Sequence, residues 1–271
     1  MGQTKDKSTK NNGVLPVFRA PRRMEALMKK KWYRLVALVA ALLIVVSAPT
    51  HTGAAQVVFA DTSDKPVWRV MTDEKLIALT FDDGPHPHNT DAVLAVLAKY
   101  DVKATFFEIG RNIELYPDVT RRVVAAGHEI GNHTYHHPHL SRVTDETLLE
   151  ELAACGRAAE ATVGTVPVLF RPPEGARTAE RCKLLGDEGY RQILWSVDTN
   201  DWRGRSAEEI SRVVLHSVKP GDIILMHDYV ARRFQGAAAL ETVIPALQKE
   251  GYRFVTVSEL LELGTPLSPS W

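Results

Sequence analysis

Cysteine is scarce in this sequence, which has only Cys155 and Cys182 among 271 residues. Two cysteines do not define the disulfide framework that stabilises many small secreted domains. A single disulfide between them and two separate, partly buried thiols both stay open. Internal repeats and low-complexity tracts are also missing. The 45% of hydrophobic residues must therefore form one ordinary globular core, for which the chain is long enough.

A hydrophobic run long enough to be a clear membrane span is missing as well. The apolar run over 35–46 is shorter than the roughly 17–25 residues that a spanning helix needs. Basic residues precede it and small residues follow it, which is typical of a secretory signal. We expect cleavage after Ala55 and a bacterial-type exported or cell-surface protein, with a retained membrane anchor as the alternative. Residues 1–27 are long for such a signal, so the true start could be Met24 or Met28.

Net charge is zero overall but unevenly distributed. Residues 1–55 hold ten of the 33 basic and two of the 33 acidic residues, so the remainder carries about −8. A domain this acidic is a poor partner for nucleic-acid phosphates. We therefore expect no nucleic-acid partner.

Short β-rich runs alternate with amphipathic stretches after a polar linker near 61–65. The predicted strands are 76–81, 104–109, 128–132, 167–171, 193–197, 222–226 and 254–257. The predicted helices are 91–99, 117–126, 145–161, 178–188, 207–218 and 237–250. Gly127, Gly189 and Gly251 each follow a helix where a left-handed cap is expected. Strict β-α alternation predicts a parallel sheet with helical crossovers.

Polar clusters follow five of these strands: FDDGP, NHTYHHP, RPPEG, DTNDW and MHD. In a flat sheet in sequence order, the ends of the first and sixth strands would lie roughly 24 Å apart. Curling the sheet brings all five clusters to one mouth, where barrel active sites lie. We predict a distorted (β/α) barrel with about seven parallel strands. A doubly wound open sheet with shuffled strand order is the alternative.

The first cluster places the adjacent carboxylates Asp82 and Asp83 at a strand end, before a Gly-Pro turn that can splay them. Like charges repel, so keeping both indicates that a cation or proton separates their roles. A solvated Asp-Asp-Gly turn is the plain alternative.

The second cluster has four histidines between His133 and His139. A helical turn would place His133 and His137 on one face. Two imidazoles with one carboxylate make an open hydrolytic metal site. Spacing alone also allows the pair of His133 with His136, and it allows His86 and His88. An exposed histidine-rich loop would explain the cluster without any metal.

The motifs together resemble those of the NodB-homology polysaccharide deacetylases, carbohydrate esterase family 4. The five that match in order are TFDDGP (80–85), HTYHHP (133–138), FRPPEG (170–175), DTNDW (198–202) and LMH (225–227). The similarity covers roughly residues 70–262. Together with the signal-like N-terminal pattern, it divides the chain into a basic segment with a signal peptide or membrane anchor (1–55), a linker and lead-in (56–71), a catalytic domain (72–262) and a C-terminal tail (263–271).

The resemblance also implies a role for each site residue. It makes Asp82 the general base, paired with Arg171, and His227 the general acid, oriented by Asp201. The metal ligands that it implies are Asp83, His133 and His137, which leaves His136, His139, His86 and His88 as non-ligands. The substrate-binding residues that it implies are Trp202 and Leu225 around the acetyl methyl, and Pro173 and the backbone N–H of Glu174. Without the family pattern, we would interpret Arg171 and Asp201 as ordinary surface residues. Trp202 and Leu225 would be interpreted as ordinary core residues.

Glu174 is the one departure, because the family usually has an aromatic residue there. The group that the resemblance places at the oxyanion is the backbone N–H of Glu174, so the change of side chain need not abolish catalysis. The change does add a negative charge at the rim of the cleft. We expect a monomeric N-deacetylase that acts on peptidoglycan or a chitin-like glycan with one divalent metal ion. Zn²⁺ is the first choice, with Co²⁺ or Ni²⁺ possible. An O-acetyl glycan esterase and a non-catalytic glycan-binding homologue are the alternatives. Any membrane contact would come only from an uncleaved N-terminal segment.

Overall fold

The computed structural model describes residues 64–230 and 233–269. The predicted signal or anchor segment, its cleavage site and most of the linker lie outside the described residues. Within the described part of the chain, no helix has both the length and the apolar character that crossing a membrane requires.

Ten strands and eight helices make up the described residues. The strands are β1 (Arg69–Met71), β2 (Leu76–Asp82), β3 (Thr105–Glu108), β4 (Glu129–Asn132), β5 (Leu169–Phe170), β6 (Arg191–Gln192), β7 (Val197–Asp198), β8 (Ile223–His227), β9 (Arg253–Phe254) and β10 (Thr265–Leu267). The helices are α1 (Asn89–Lys99), α2 (Gly110–Leu115), α3 (Pro117–Ala125), α4 (Asp145–Val163), α5 (Ala179–Asp187), α6 (Ala207–Ser217), α7 (Gly236–Lys249) and α8 (Val257–Glu262).

Strand β2 lies at the centre of a curled parallel sheet whose order is β6-β5-β4-β3-β2-β8-β7. Every residue of β2 is buried. Because successive side chains point to opposite faces, Ile77, Leu79 and Phe81 pack in the core formed with helices α1 and α7. Thr80 and Asp82 fall on the other face with Ala78, inside the curl. The alternation therefore directs Asp82 towards the interior of the barrel.

The predicted distorted (β/α) barrel with about seven parallel strands is confirmed. The single strand predicted over 193–197 is wrong, because this stretch closes the curl instead. Strand β6 before it pairs with β5, whereas β7 at its end pairs with β8 at the opposite side of the sheet. Between them, the Leu194 N–H donates to the Val67 carbonyl at 2.6 Å. No single neighbour can pair with the whole stretch, so it divides into two short strands.

The six predicted helices are confirmed, with ends that differ by up to two residues. Gly127, Gly189 and Gly251 follow α3, α5 and α7 with φ of 78°, 85° and 86°, as left-handed caps require. Helices α2 and α8 were not predicted. The last predicted strand, 254–257, is wrong beyond Phe254, because the Thr256 side chain accepts the Glu259 N–H and so begins α8.

Strands β1 and β10 form a separate antiparallel pair, with Arg69 opposite Leu267. They join residues from both sides of the predicted 72–262 domain. Cys155 and Cys182 are both free and buried, so the thiol alternative describes this structure. Burial raises the pKa of the Cys155 thiol to about 12 and that of Cys182 to about 11.

Candidate metal and catalytic site

The polar clusters meet at the carboxyl ends of the strands, around one cavity of about 450 Å³. Asp82 at the end of β2 stands directly opposite His227 at the end of β8. His133 follows β4 and Arg171 follows β5. The residues that line the cavity are Asp82, Asp83, His133, His137, Glu174, Trp195, Asp198, Trp202, Leu225 and His227.

Asp82 and Asp83 separate because the backbone changes direction between them. Asp82 ends the strand and is buried, whereas Asp83 has a φ of 75°. The Asn112 amide donates to the Asp83 carbonyl at 2.8 Å and holds this turn. The Asp83 Oδ1 atom is buried without a hydrogen-bond partner among the described residues. A buried carboxylate oxygen with an unsatisfied acceptor is a place where an ion is expected.

The histidine segment is a loop, so a helical turn is not what joins His133 and His137. Thr134 and His137 have φ of 65° and 56°. Asn132 Oδ1 accepts the Thr134 N–H at 2.9 Å, and Thr134 Oγ1 accepts the His137 N–H at 3.0 Å. These side-chain bonds fold the loop back on itself. The imidazoles of His133 and His137 end with ring centroids 4.9 Å apart.

Asp83, His133 and His137 form a group whose ligand atoms all lie within 4.8 Å of one another. The Nε2 atoms of both histidines are 3.4 Å from Asp83 Oδ1. Two ligands about 2.1 Å from one ion at a tetrahedral angle would be about 3.4 Å apart. The His133 Nδ1 atom is 2.8 Å from the Arg171 carbonyl, which leaves Nε2 directed at the group. The three residues therefore fit a divalent cation.

The charge of Asp83 agrees with this donor set. Burial raises the pKa of its carboxyl, but the His133 imidazole, whose Nε2 atom is 3.4 Å from Oδ1, and the charges of His227 and His137 outweigh it, and the pKa lies below its ordinary value. The carboxyl is therefore ionised at neutral pH, as a ligand must be.

The remaining histidines have other contacts. His136 Nδ1 is 2.7 Å from Glu151 Oε1, and its backbone N–H donates to the same carboxylate. His139 Nδ1 lies 3.0 Å from Glu174 Oε1. His86 accepts the backbone N–H groups of His88 and Asn89, and His88 lies in edge contact with the His86 ring.

Arg171 lies fully buried beneath the cavity. Its Nη1 atom donates to Asp82 Oδ1 at 2.7 Å and to Thr80 Oγ1 at 2.7 Å. Its Nη2 atom donates to the Leu194 carbonyl at 2.9 Å, and its guanidinium carbon lies 4.1 Å from the centre of the Phe107 ring. These contacts fix one oxygen of Asp82 and leave the other, Oδ2, 3.8 Å from His133 Nε2.

His227 and Asp201 make a second pair across the cavity. Asp201 Oδ1 is 2.8 Å from His227 Nδ1, and Asp201 Oδ2 accepts the His227 backbone N–H at 2.8 Å. Burial lowers the pKa of His227, but the hydrogen bond to Asp201 and the charges of Asp201, Asp82 and Asp83 raise it to about 9. In the metal-free protein this imidazole is therefore a cation at neutral pH.

Four more predicted residues lie on or near the wall of the cavity. Leu225 is buried, whereas the Trp202 side chain is 46% exposed. Glu174 has a φ of 59° in the turn Pro173–Gly175, a left-handed conformation that is uncommon for a non-glycine residue. Pro173 is buried in this turn and is not among the residues that line the cavity.

Sequence reasoning missed four residues around the site. Trp195 and Asp198 line the cavity, although Trp195 lies inside the strand predicted over 193–197. Asp198 belongs to the DTNDW motif, so its position after a strand was the available signal. Glu108 and Asp228 are fully buried, and one oxygen of each has no hydrogen-bond partner among the described residues. Their positions next to the ends of β3 and β8 gave no signal of burial.

The parallel barrel carries a carboxylate, two histidines and two flanking acid–base pairs at its mouth. This combination is typical of a hydrolase. Residues 69–193 match the family model described as polysaccharide deacetylase. The chain is 44% identical over 196 residues to a peptidoglycan-N-acetylglucosamine deacetylase of Bacillus cereus, which covers 72% of this chain and 92% of that protein. A chitooligosaccharide deacetylase of Azorhizobium caulinodans is 36% identical, over 68% of this chain and 93% of the relative. The chain belongs to the polysaccharide deacetylase family, of NodB-homology type.

Solved structures agree with this assignment. A crystal structure of a peptidoglycan N-acetylglucosamine deacetylase matches with a TM-score of 0.70 and 36% identity, over 71% of this chain and 91% of that one. A pseudoenzyme of carbohydrate esterase family 4 from Bacillus anthracis matches with a TM-score of 0.69 and 30% identity, over 75% and 71%. Membership alone therefore does not establish activity, which depends on the residues that the site contains.

Proposed function

We propose that the chain is an exported, metal-dependent polysaccharide deacetylase. It hydrolyses the N-acetyl group of amino sugars in peptidoglycan or a chitin-like glycan and releases acetate. One observation carries the proposal: the group of Asp83, His133 and His137 shares a cavity with Asp82, held by Arg171, and with His227, held by Asp201. A protein that only binds glycan needs no such combination.

The metal would be held by the Asp83 carboxylate and the Nε2 atoms of His133 and His137. A divalent ion there, Zn²⁺ first and Co²⁺ or Ni²⁺ as alternatives, supplies Lewis-acid polarisation of the acetyl carbonyl.

Asp82 and His227 divide the proton transfers between them. Asp82 takes a proton from the water that attacks the acetyl carbon, and the 2.7 Å contact with Arg171 orients its carboxylate. His227 gives a proton to the nitrogen of the amino sugar, which is a poor leaving group without it. Asp201 keeps the His227 ring in place and supports its protonated form. General acid–base steps of this kind contribute about 10²–10⁴-fold in rate.

The walls of the cavity bind and orient the acetyl group. Leu225 and Trp202 offer apolar surface to the methyl. The backbone N–H of Glu174 donates to the oxyanion that forms on attack, with Pro173 fixing the turn before it. A preorganised donor at such a position is worth about 3–4 kcal/mol.

Peptidoglycan is the first choice of substrate, because the relative that is 44% identical is named a peptidoglycan-N-acetylglucosamine deacetylase. The basic and apolar N-terminal pattern also favours export to the cell wall. We propose that the protein acts there as a monomer, without a nucleic-acid partner. We also propose that the domain boundaries lie at residues 55, 71 and 262.

Acetate release tests the proposal directly. Purified protein is incubated with peptidoglycan, chitooligosaccharide and acetylated xylan, first with Zn²⁺ and then with a chelator. We expect release from one or both N-acetylated glycans, loss on chelation, and recovery when Zn²⁺ is restored. Release from xylan alone would make the protein an O-acetyl esterase. No release from any of the three with metal present would make it a non-catalytic homologue.

A further inference from the structure

A second cavity of about 260 Å³ adjoins the catalytic one. The two cavities share the side chains of Glu174 and Trp195 as a common wall. The second cavity is lined by Trp68, Glu174, Gly175, Arg177, Leu194, Trp195 and Pro269. A polymer chain whose acetylated unit occupies the first cavity would place a neighbouring unit against this wall.

Two half-buried tryptophans give the second cavity an aromatic lining. A Cβ on Gly175 would lie 2.9 Å from the Trp195 ring, so only glycine lets the ring approach the turn this closely. Trp68 is fixed through its backbone N–H, which donates to the Leu267 carbonyl of β10 at 3.1 Å. Indole rings combine a flat apolar face with a polar N–H, which suits the C–H face of a pyranose and its hydroxyl groups.

Arg177 gives the second cavity a positive charge. Its Nη1 atom donates to the Gly175 carbonyl at 3.0 Å, which orients the guanidinium. Among residues 64–230 and 233–269, no carboxylate lies within 4.0 Å of the Arg177 side chain. The nearby Glu174 carboxylate is instead paired with His139. A guanidinium with free donors matches a carboxylate in a bidentate geometry.

We propose that this second cavity is a glycan subsite for an acidic neighbour of the sugar that is deacetylated. The sugar ring lies against Trp68 and Trp195, and Arg177 pairs with a carboxylate on that unit. A muramic-acid-type sugar carries such a carboxylate on its lactyl group or on an attached peptide, whereas a chitin-like chain has none. The inference rests on the proposed function, since it names the substrate that the catalytic cavity receives.

Arg177→Gln tests the charge, with Arg121→Gln as the matched control on the exposed surface of α3. Substrates of equal length are compared: a neutral chitooligosaccharide, an oligosaccharide of N-acetylglucosamine and N-acetylmuramic acid, and the same oligosaccharide with its peptide. For Arg177→Gln we expect KM to rise about two- to fivefold on the acidic substrates, as for one partly exposed ion pair. KM on the neutral substrate and kcat on all three should be unchanged. Comparing the two acidic substrates identifies which carboxylate Arg177 contacts.

Salt and Trp68→Ala provide two further readouts. Raising the ionic strength should increase KM for acidic substrates with wild type and Arg121→Gln, but not with Arg177→Gln. Trp68→Ala should raise KM for acidic and neutral substrates alike, by about threefold or more. Equal effects of Arg177→Gln on neutral and acidic substrates, or no effect on either, would overturn the subsite while leaving the proposed function intact.

Binding separates failure of the subsite from failure of the catalytic proposal. Affinity for the acidic oligosaccharide is measured by titration calorimetry on the chelated protein, where no turnover occurs. Weaker binding by Arg177→Gln than by Arg121→Gln supports the subsite even if wild type releases no acetate. Equal affinities for the two variants overturn it even if acetate release is normal.

Discussion

Asp201 contacts His227 through both of its carboxylate oxygens: Oδ1 is 2.8 Å from the ring Nδ1 atom, and Oδ2 accepts the backbone N–H at 2.8 Å. The ring tautomer and the position of its backbone are therefore fixed by the same side chain. This relationship supports the His227 cation and leaves Nε2 as the proton donor towards the cavity.

Asp201→Asn should move the alkaline limb of the pH profile of kcat/KM to lower pH. The Asp201 carboxylate raises the pKa of His227, which is about 9 without metal. The general acid works only while it is protonated, so lowering its pKa makes activity decline at lower pH. A bound cation lowers the pKa of His227 in wild type and in Asp201→Asn alike, so the alkaline limb of the variant still lies at the lower pH. We expect a shift of about one pH unit or more, measured as acetate release with Zn²⁺. Coinciding alkaline limbs would contradict the role given to Asp201.

Asp82 and Asp83 should respond differently to the same substitution. Asp83→Asn removes the charged ligand, so we expect metal and activity to be lost together. Asp82→Asn should keep the metal and lower turnover by about 10²-fold or more. Metal content by mass spectrometry and acetate release are measured on both, with the exposed Asp187→Asn as the control. Loss of metal from Asp82→Asn but not from Asp83→Asn would reverse the assignment.

Asp82→Asn should lower the free energy of unfolding through an effect that Asp83→Asn does not have. It leaves the buried Arg171 without its ion-pair partner, and breaking a buried pair typically costs about 3–5 kcal/mol. Urea unfolding of both variants after chelation measures this difference. The kinetic comparison is therefore made only where circular dichroism shows both variants folded.

His137→Ala should remove the bound metal, whereas His136→Ala should leave it in place. The His137 Nε2 atom is 3.4 Å from Asp83 Oδ1, but His136 is held by Glu151 on the exposed side of the loop. The two variants remove the same group from adjacent positions, so each is the control for the other. Metal affinity measured by competition with a chromophoric chelator distinguishes them. Metal loss from His136→Ala alone would show that the ligand pair is wrong.

The sequence predicted six of the eight helices, most strands of the parallel sheet and the convergence of its motifs, because hydrophobic period and strand ends are local properties. It did not predict the conformations that make the site. Asp83, Thr134 and His137 all have positive φ. Aspartate and histidine adopt positive φ more often than most residues, but only a small fraction of them do so, and the sequence does not show which. Trp195 lies inside the strand predicted over 193–197, and its ring faces Arg171 as well as both cavities. Its role depends on where residues 193–197 cross from one side of the sheet to the other, and this follows from the tertiary structure.

Glu108→Gln should stabilise the protein at alkaline pH. Burial, with a contribution from Asp228, raises the pKa of the Glu108 carboxyl to about 8. The folded state therefore holds a proton that the unfolded chain has released above its ordinary pKa of about 4.5. Stability from this group is complete below that lower value and is lost as pH rises towards 8. Glutamine keeps an oxygen for the Thr120 hydroxyl and has no proton to lose.

The measurement is the free energy of unfolding in urea between pH 5 and pH 8.5, with chelator present so that metal binding adds no pH dependence of its own. Wild type should lose on the order of a few kcal/mol over this range, and Glu108→Gln should lose less. Glu150→Gln, on the exposed face of α4, should reproduce the wild-type curve. Asp228 has a pKa raised to about 7 by burial, so adding Asp228→Asn should flatten the curve further. Parallel curves for wild type and Glu108→Gln would mean that Glu108 is already ionised in the folded protein.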